Sequence, residues 1–263
     1  MHVGIRSSAL AAIVLVFTMV SGACSAPSPR VLVFSKTAAF RHASIETGIR
    51  AIHELGGDNG FAVEDTEDAT VFDEETLRTF DVVVFLSTTG DVLNAVQQAD
   101  FERFIQAGGG YVGIHAASDT EYGWPWYGDL VGAYFVGHPE IQQATLRVED
   151  ADHPATRRLR LTWTRTDEWY DLRYTTPDVR VLLTIDEDSY EGASTGDPHR
   201  MAWSHEYDGG RSFYTALGHT AESYDDPDFL RHLAGGVEYA LGERAGLDYS
   251  AVHRDRLSPH GGR

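Results

Sequence analysis

Gly108-Gly-Gly-Tyr-Val-Gly-Ile-His115-Ala-Ala-Ser-Asp119 is the stretch on which the fold turns. Tyr111-Val-Gly-Ile-His115 reads as a strand, apolar without alternation up to its last residue as if buried on both faces, and the three glycines at 108–110 end whatever precedes. His115 stands at the apex where that strand gives way to a turn, with Gly113 two places before it. A sharp turn of this kind lifts its apex side chain above the carboxyl edge of a parallel sheet, where open α/β sheets bind ligands. An imidazole raised there can serve as base, acid or metal ligand, or can simply hydrogen-bond at the strand end.

Upstream, Val31-Leu-Val-Phe34 and Val82-Val-Val-Phe-Leu86 repeat the continuous apolar pattern, and Phe61-Ala-Val63 is a shorter strand candidate. Ile45, Ile49, Ile52 and Leu55 recur at helical spacing, with Ser44 as N-cap and Gly56-Gly57 as the stop. Leu77 falls on a short helix, and residues 92–107 form an amphipathic one. Strands alternating with helices predict an α/β fold with a doubly wound, mostly parallel sheet. Downstream the chain becomes more β-rich, with strands predicted at 144–148, 179–185, 201–205 and 212–216 and a closing helix at 229–241. Nothing divides residues 31–242 into two domains, and 243–263 reads as a loose polar tail.

The N-terminus carries an export signal. Arg6 supplies a positive flank, residues 9–20 are apolar but too short for a comfortable membrane span, and Ser21-Gly22-Ala23 lead into Cys24. This resembles a bacterial lipoprotein signal, in which the cysteine is lipidated and becomes the mature N-terminus. Ser21 occupies a place usually held by a branched aliphatic residue, and the alternative is an ordinary secretory peptide cleaved nearby. Residues 1–23 are thus expected to be a signal peptide and 24–30 a tether, giving an exported protein that meets the membrane only through a lipid on Cys24. The 263 residues carry 21 basic and 40 acidic side chains, a formal charge of -19. Residues 1–23 contribute only Arg6, so the mature chain has 20 against 40, or about -20. Such a surface repels phosphate backbones and anionic membranes, which disfavours a nucleic-acid partner, and its acidity otherwise serves solubility. With 42% hydrophobic residues the chain can bury a large core.

Several motifs occur in an order that resembles one family. They are Phe40-Arg-His42 with Glu46, the Gly108 to Thr120 run, Trp124-Pro-Trp126-Tyr, Gly137-His138-Pro, Asp152-His-Pro, Asp167-Glu168-Trp-Tyr170, residues 198–203, and Ala216-Leu-Gly-His219-Thr. Together they resemble the ThuA-like, or trehalose-utilisation, family over about residues 31–242. The resemblance implies a fold similar to class I glutamine amidotransferases, a flavodoxin-like sheet with histidine where the amidotransferases carry cysteine. It also implies a link to 3-keto-sugar metabolism and to a divalent metal, so the expected partner is a small-molecule carbohydrate. The residues agree on one point independently: Cys24 is the only cysteine, so no thiol is left in the body for glutaminase chemistry.

Zinc and similar ions take imidazole nitrogen and carboxylate oxygen. With the later loops placed by the resemblance, the expected ligands are His42, His115, His138 and His219, with Glu168 as ligand or base; His42 and Glu46 can also share a face near a helix start. Each ligand comes from a different segment and no HExxH-type pair exists, so a sugar-binding cleft without metal stays open. Trp124, Trp126 and Tyr127, in a Gly/Pro-punctuated stretch after the elbow, are read as stacking on sugar faces or covering the elbow. Asp119, Asp167 and Arg200 are read as hydrogen-bonding sugar hydroxyls, with Tyr170 beside them. Trp163, Trp169 and Trp203 are expected in the core, His153 in a turn, and His205 and His232 on the surface; His199 stays undecided. Two functions follow: an enzyme, with Glu168 or His115 moving protons in hydrolysis, isomerisation or elimination next to a sugar carbonyl, or a non-catalytic sugar-binding lipoprotein. A domain that has lost its site is a third, which the number of histidines argues against.

Overall fold

Residue 1, residues 27–243, 246–250 and 252 are described by a computed structural model. The leader and the lipidation expected at Cys24 lie outside the described residues. The apolar runs form β1 (Arg30–Phe34), β3 (Val82–Leu86) and β4 (Gly110–Ile114); β3 and β4 are buried throughout, and β1 from its second residue onward. They pair in parallel with β2 (Ala62–Thr66) outside β1 and with β11 (Gly210–Thr215) beside β4. Beyond β11 the direction alternates through β10 (Arg200–Tyr207), β9 (Arg180–Ile185), β6 (Gln142–Val148) and β7 (Thr162–Asp167). The result is one nine-stranded sheet, ordered β2-β1-β3-β4-β11-β10-β9-β6-β7, parallel in one half and antiparallel in the other. A separate two-stranded ribbon joins β5 (Ala133–Gly137) to β8 (Asp171–Tyr174).

Alternate residues of the parallel strands serve opposite faces. Phe85 and Tyr111 meet α3 (Ala95–Gln106) and α4 (Pro125–Val131): Phe85 stacks on Phe101 at 5.4 Å, and the hydroxyls of Tyr111 and Tyr127 are 2.9 Å apart. Phe213, on the other face, meets α5 (Pro227–Leu241), which packs against α1 (Ile45–Asn59). Each such buried aromatic or aliphatic side chain contributes about 1.5–3 kcal/mol. Trp163, Trp169 and Trp203 are buried, as expected.

Some boundaries differ from the sequence reading, for local reasons. α1 runs through Gly56-Gly57 to Asn59 and ends at Gly60, whose φ of 78° is left-handed. Gly56 serves a close approach instead: a Cβ there would lie 2.7 Å from the Phe61 carbonyl. Ser44 makes no side-chain cap and points its hydroxyl at the Gly218 carbonyl. α3 starts at Ala95 under an Asn94–Gln97 capping box, because the Val92 and Leu93 amides are taken by the Glu121 carboxylate. Part of the tail is docked, not loose: the Asp248 amide donates to the Ala107 carbonyl, and Arg78 lies over Tyr249. His205 and His232 are buried, not on the surface. His232 donates from Nδ1 to the Ala155 carbonyl (2.9 Å) beside Phe213.

Candidate metal centre

β4 ends at Ile114, and His115 follows with φ 52°, a left-handed conformation that costs a residue with a Cβ of order 1–3 kcal/mol. The turn is held by the Tyr214 hydroxyl, which donates to the His115 carbonyl at 2.9 Å. His115 Nδ1 lies 2.8 Å from the Ala216 carbonyl, which can only accept. The proton is therefore on Nδ1, and Nε2 presents a lone pair, the arrangement by which outer hydrogen bonds orient metal-binding histidines.

That lone pair meets two other groups. His219 Nδ1, from the loop after β11, is 3.1 Å from His115 Nε2. Glu168 Oε2, just past β7, is 3.0 Å from His219 Nδ1 and 3.5 Å from His115 Nε2. His42, after β1 and 5% exposed, completes the group, its ring centroid 4.8 Å from that of His115 and 5.1 Å from that of His219. One ligand atom from each of His42, His115, Glu168 and His219 fits within 4.8 Å of all the others. His42 Nδ1 is buried without a hydrogen-bond partner. Around an ion with ligands at roughly 2.0–2.1 Å, tetrahedral neighbours stand roughly 3.3–3.4 Å apart. The three contacts of 3.0–3.5 Å bracket that edge, so these residues fit a divalent ion in spacing and in donor type.

Electrostatics prepare the same arrangement. Burial, the main cause, pulls His42 down to about 3 among the other imidazoles, which keeps it neutral. Burial alone would raise Glu168, but the imidazoles of His115 and His219 beside it outweigh that and bring it down to about 2.

Asp167 is what brings Glu168, carried by the far edge strand, against the loop after β11. Fully buried, its Oδ1 accepts from the amides of Glu168 (3.0 Å) and His219 (3.1 Å), and its Oδ2 from the amide of Gly218 (2.9 Å). Gly218 has φ 109°, which a side chain would resist. Arg165, also on β7, lies 3.1 Å from Asp167 Oδ2, with its guanidinium 4.8 Å from the Trp163 and Phe229 ring centres. With every lone pair engaged inside the protein, Asp167 organises the site and is not a sugar contact.

The remaining expected residues separate into two groups. Tyr170 belongs to the site, its ring 4.2 Å from that of His115 and 4.3 Å from that of Phe135. Asp119 ends the turn after His115, its Oδ1 2.7 Å from the Tyr122 hydroxyl oxygen. His138 is partly exposed; its Nδ1 donates to the Pro139 carbonyl (2.9 Å) and lies 3.1 Å from Glu168 Oε1, so it meets the group through Glu168 and stands outside the buried four. Trp124 and Trp126 do not face the site. Pro125 opens α4 in place of a loop, Trp124 is buried with its N–H on Glu102, and Trp126 bonds Asp208 in the β10–β11 hairpin, at the opposite edge of the sheet. Arg200 lies over Tyr174 and donates from Nη1 to the Thr176 carbonyl at 3.5 Å, apart from the imidazoles. His199, left undecided, is buried between the Tyr170 carbonyl and Glu187, and His153 caps its own turn by accepting from the Ala155 amide. Arg165 and Tyr122 were missed; each stands two or three residues from a residue already singled out, and only the fold shows their roles.

The family described as ThuA, trehalose utilisation, matches residues 30–240. Among solved structures, a ThuA-like protein from Bacteroides uniformis is similar at 21% identity and a TM-score of 0.70, over 87% of this chain and 99% of that one. A ThuA-like protein from Parabacteroides merdae is similar at 18% identity and 0.69, over 87% and 100%. A β-galactosidase from Rahnella sp. shares the fold at 15% identity and 0.53, over 81% of this chain and 31% of its own. A comparison with curated proteins gives no match.

Proposed function

Because the chain belongs to the ThuA trehalose-utilisation family, with its setting in carbohydrate utilisation, we propose that it is an exported enzyme acting on a carbohydrate or keto-sugar derivative by metal-assisted acid/base chemistry. The observation that carries this reading is the convergence of His42, His115, His219 and Glu168 on one point. A divalent ion of the zinc type, bound there, would supply a Lewis acid to polarise a carbonyl oxygen.

The chain's own residues supply the rest. His115 holds its lone pair at a fixed angle because the Ala216 carbonyl fixes its tautomer. Glu168 is anionic and turns its second oxygen toward His138, so it is placed to accept a proton. His138, with its side chain 41% exposed, places Glu168 Oε1 at the solvent side of the site, where that proton can leave. Tyr170 and Phe135 wall the site with rings suited to the apolar face of a sugar. A hydrogen on carbon next to a keto group is acidic enough for one carboxylate and one Lewis acid to remove. Hydrolysis, isomerisation and elimination all begin with such equipment.

The test is metal analysis of the purified chain, followed by a screen of 3-keto glycosides with and without chelator. Stoichiometric metal, and turnover that chelator and His115→Ala both abolish, support the proposal. Sugar binding that ignores chelator, with no product formed, sinks it and leaves a sugar-binding protein.

A further inference from the structure

Chemistry that takes a proton from carbon and returns one to oxygen needs two groups of opposite bias. Glu168 can serve only as the acceptor, since Oε2 faces His115 and His219 and Oε1 faces His138. A second carboxyl lies nearby on Asp119, which closes the short turn begun by His115 and is joined through Tyr122 to Phe135, whose ring packs on Tyr170.

Its hydrogen bonds do not balance if it is a carboxylate. The Tyr122 oxygen lies 2.7 Å from Asp119 Oδ1 and 3.0 Å from the Phe135 carbonyl oxygen. A phenol has one proton, a carbonyl can only accept, and an ionised carboxylate can only accept. Two acceptors would then compete for one hydrogen. With a proton on Asp119 both bonds form, Asp119 donating to Tyr122 and Tyr122 to Phe135. Asp119 Oδ2 has no hydrogen-bond partner among the described residues, and Tyr122 is 45% exposed, so the pair has one end free and the other in solvent.

We propose that Asp119 is the proton donor of this site and that Tyr122 resupplies it from solvent. The proposal rests on the acid/base reading above. In the step, the Asp119 O–H bond breaks as an O–H bond forms on the substrate oxygen that gathers negative charge. The carboxylate then takes the Tyr122 proton, and Tyr122 takes one from water. The proton lifted from carbon leaves by way of Glu168, so the count closes. Burial pushes the Asp119 carboxyl above its ordinary range. The groups facing the pair are His115 and Tyr170 on the Asp119 side, and Arg173 and Tyr134 on the Tyr122 side.

The experiment uses the full chain loaded with zinc, as wild type, Asp119→Asn and Tyr122→Phe. Infrared titration reads the carboxylic-acid band that disappears in Asp119→Asn. If Tyr122 accepts from a protonated Asp119, Tyr122→Phe moves that titration to lower pH; if Tyr122 merely donates to a carboxylate, the titration moves higher and the proposal is overturned. With a 3-keto glycoside, Asp119→Asn is expected to lower kcat by about 10²–10⁴-fold with KM little changed. Wild-type kcat in Asp119→Asn overturns the donor while leaving the acid/base function standing. If the wild type makes no product from any 3-keto glycoside, the function falls, and the infrared shift alone decides whether the donor pair is built.

Discussion

Replacing Asp167 with asparagine removes one charge and turns one acceptor oxygen into a donor at a place with no solvent to compensate. Oδ1 holds the amides of Glu168 and His219; Oδ2 holds the Gly218 amide, the Ser223 hydroxyl at 3.3 Å and Arg165. Whichever way the new amide is turned, its NH2 faces at least two donors. Arg165, packed between Trp163 and Phe229, loses its closest carboxylate and keeps the Ser223 hydroxyl and the more distant Asp226, 3.6 Å from Nη1. Removing one partner of a buried ion pair costs about 3–5 kcal/mol. At roughly 2–4 °C per kcal/mol for a domain of this length, the midpoint should fall by about 6–20 °C. Urea unfolding with an unchanged m-value measures the loss directly, and zinc titration of the folded variant should show affinity reduced about 10–100-fold. Adding Arg165→Met should recover part of the stability, because the stranded charge goes, but none of the zinc affinity. A variant within about 1 kcal/mol of the parent, with zinc binding intact, would refute the role given to Asp167.

Other outcomes follow from single residues. His232, buried and held down to about 4 by desolvation, is neutral in the folded chain and ordinary in the unfolded one. Its contribution is therefore complete above about pH 6.5 and is lost as pH falls toward 4, by about 3 kcal/mol. His232→Gln should flatten stability across that window in denaturant titrations, and an identical acid loss in both proteins counts against the reading. Trp124→Ala should cost about 3–5 kcal/mol through its cavity while leaving affinity for sugar ligands unchanged; calorimetry of both quantities checks this, and a lost affinity would return Trp124 to the site.

What could be read from residues alone follows from how polar each element's buried side is. β1, β3 and β4 are apolar runs and were legible to within a residue or two. β7 was not, because its buried positions are Trp163, Arg165 and Asp167, and the outer ones are threonines. The polarity that hid the strand is the polarity that builds the site. β5 and β8, only five and four residues long, pair with each other away from the main sheet and left no pattern to find. His219 and Glu168 could be joined to His42 and His115 only through the family resemblance, because no spacing in the chain predicts that Glu168 reaches them from an edge strand. The two tryptophans misled because Pro125 was taken as loop punctuation when it is the first residue of a helix. His232 was findable: it shares a helical face with Phe229, Leu233 and Gly236, all buried.

The sheet changes character at β11, and the four converging side chains straddle that seam. His42 and His115 follow parallel strands, Glu168 follows the outermost antiparallel one, and His219 hangs from the seam strand itself. Anything held among them is gripped from both sides, so neither half can come apart without letting go. Filling the centre should therefore weld the halves into a single cooperative unit, with amide exchange slowing together in β1 and in β7, at opposite ends of the sheet.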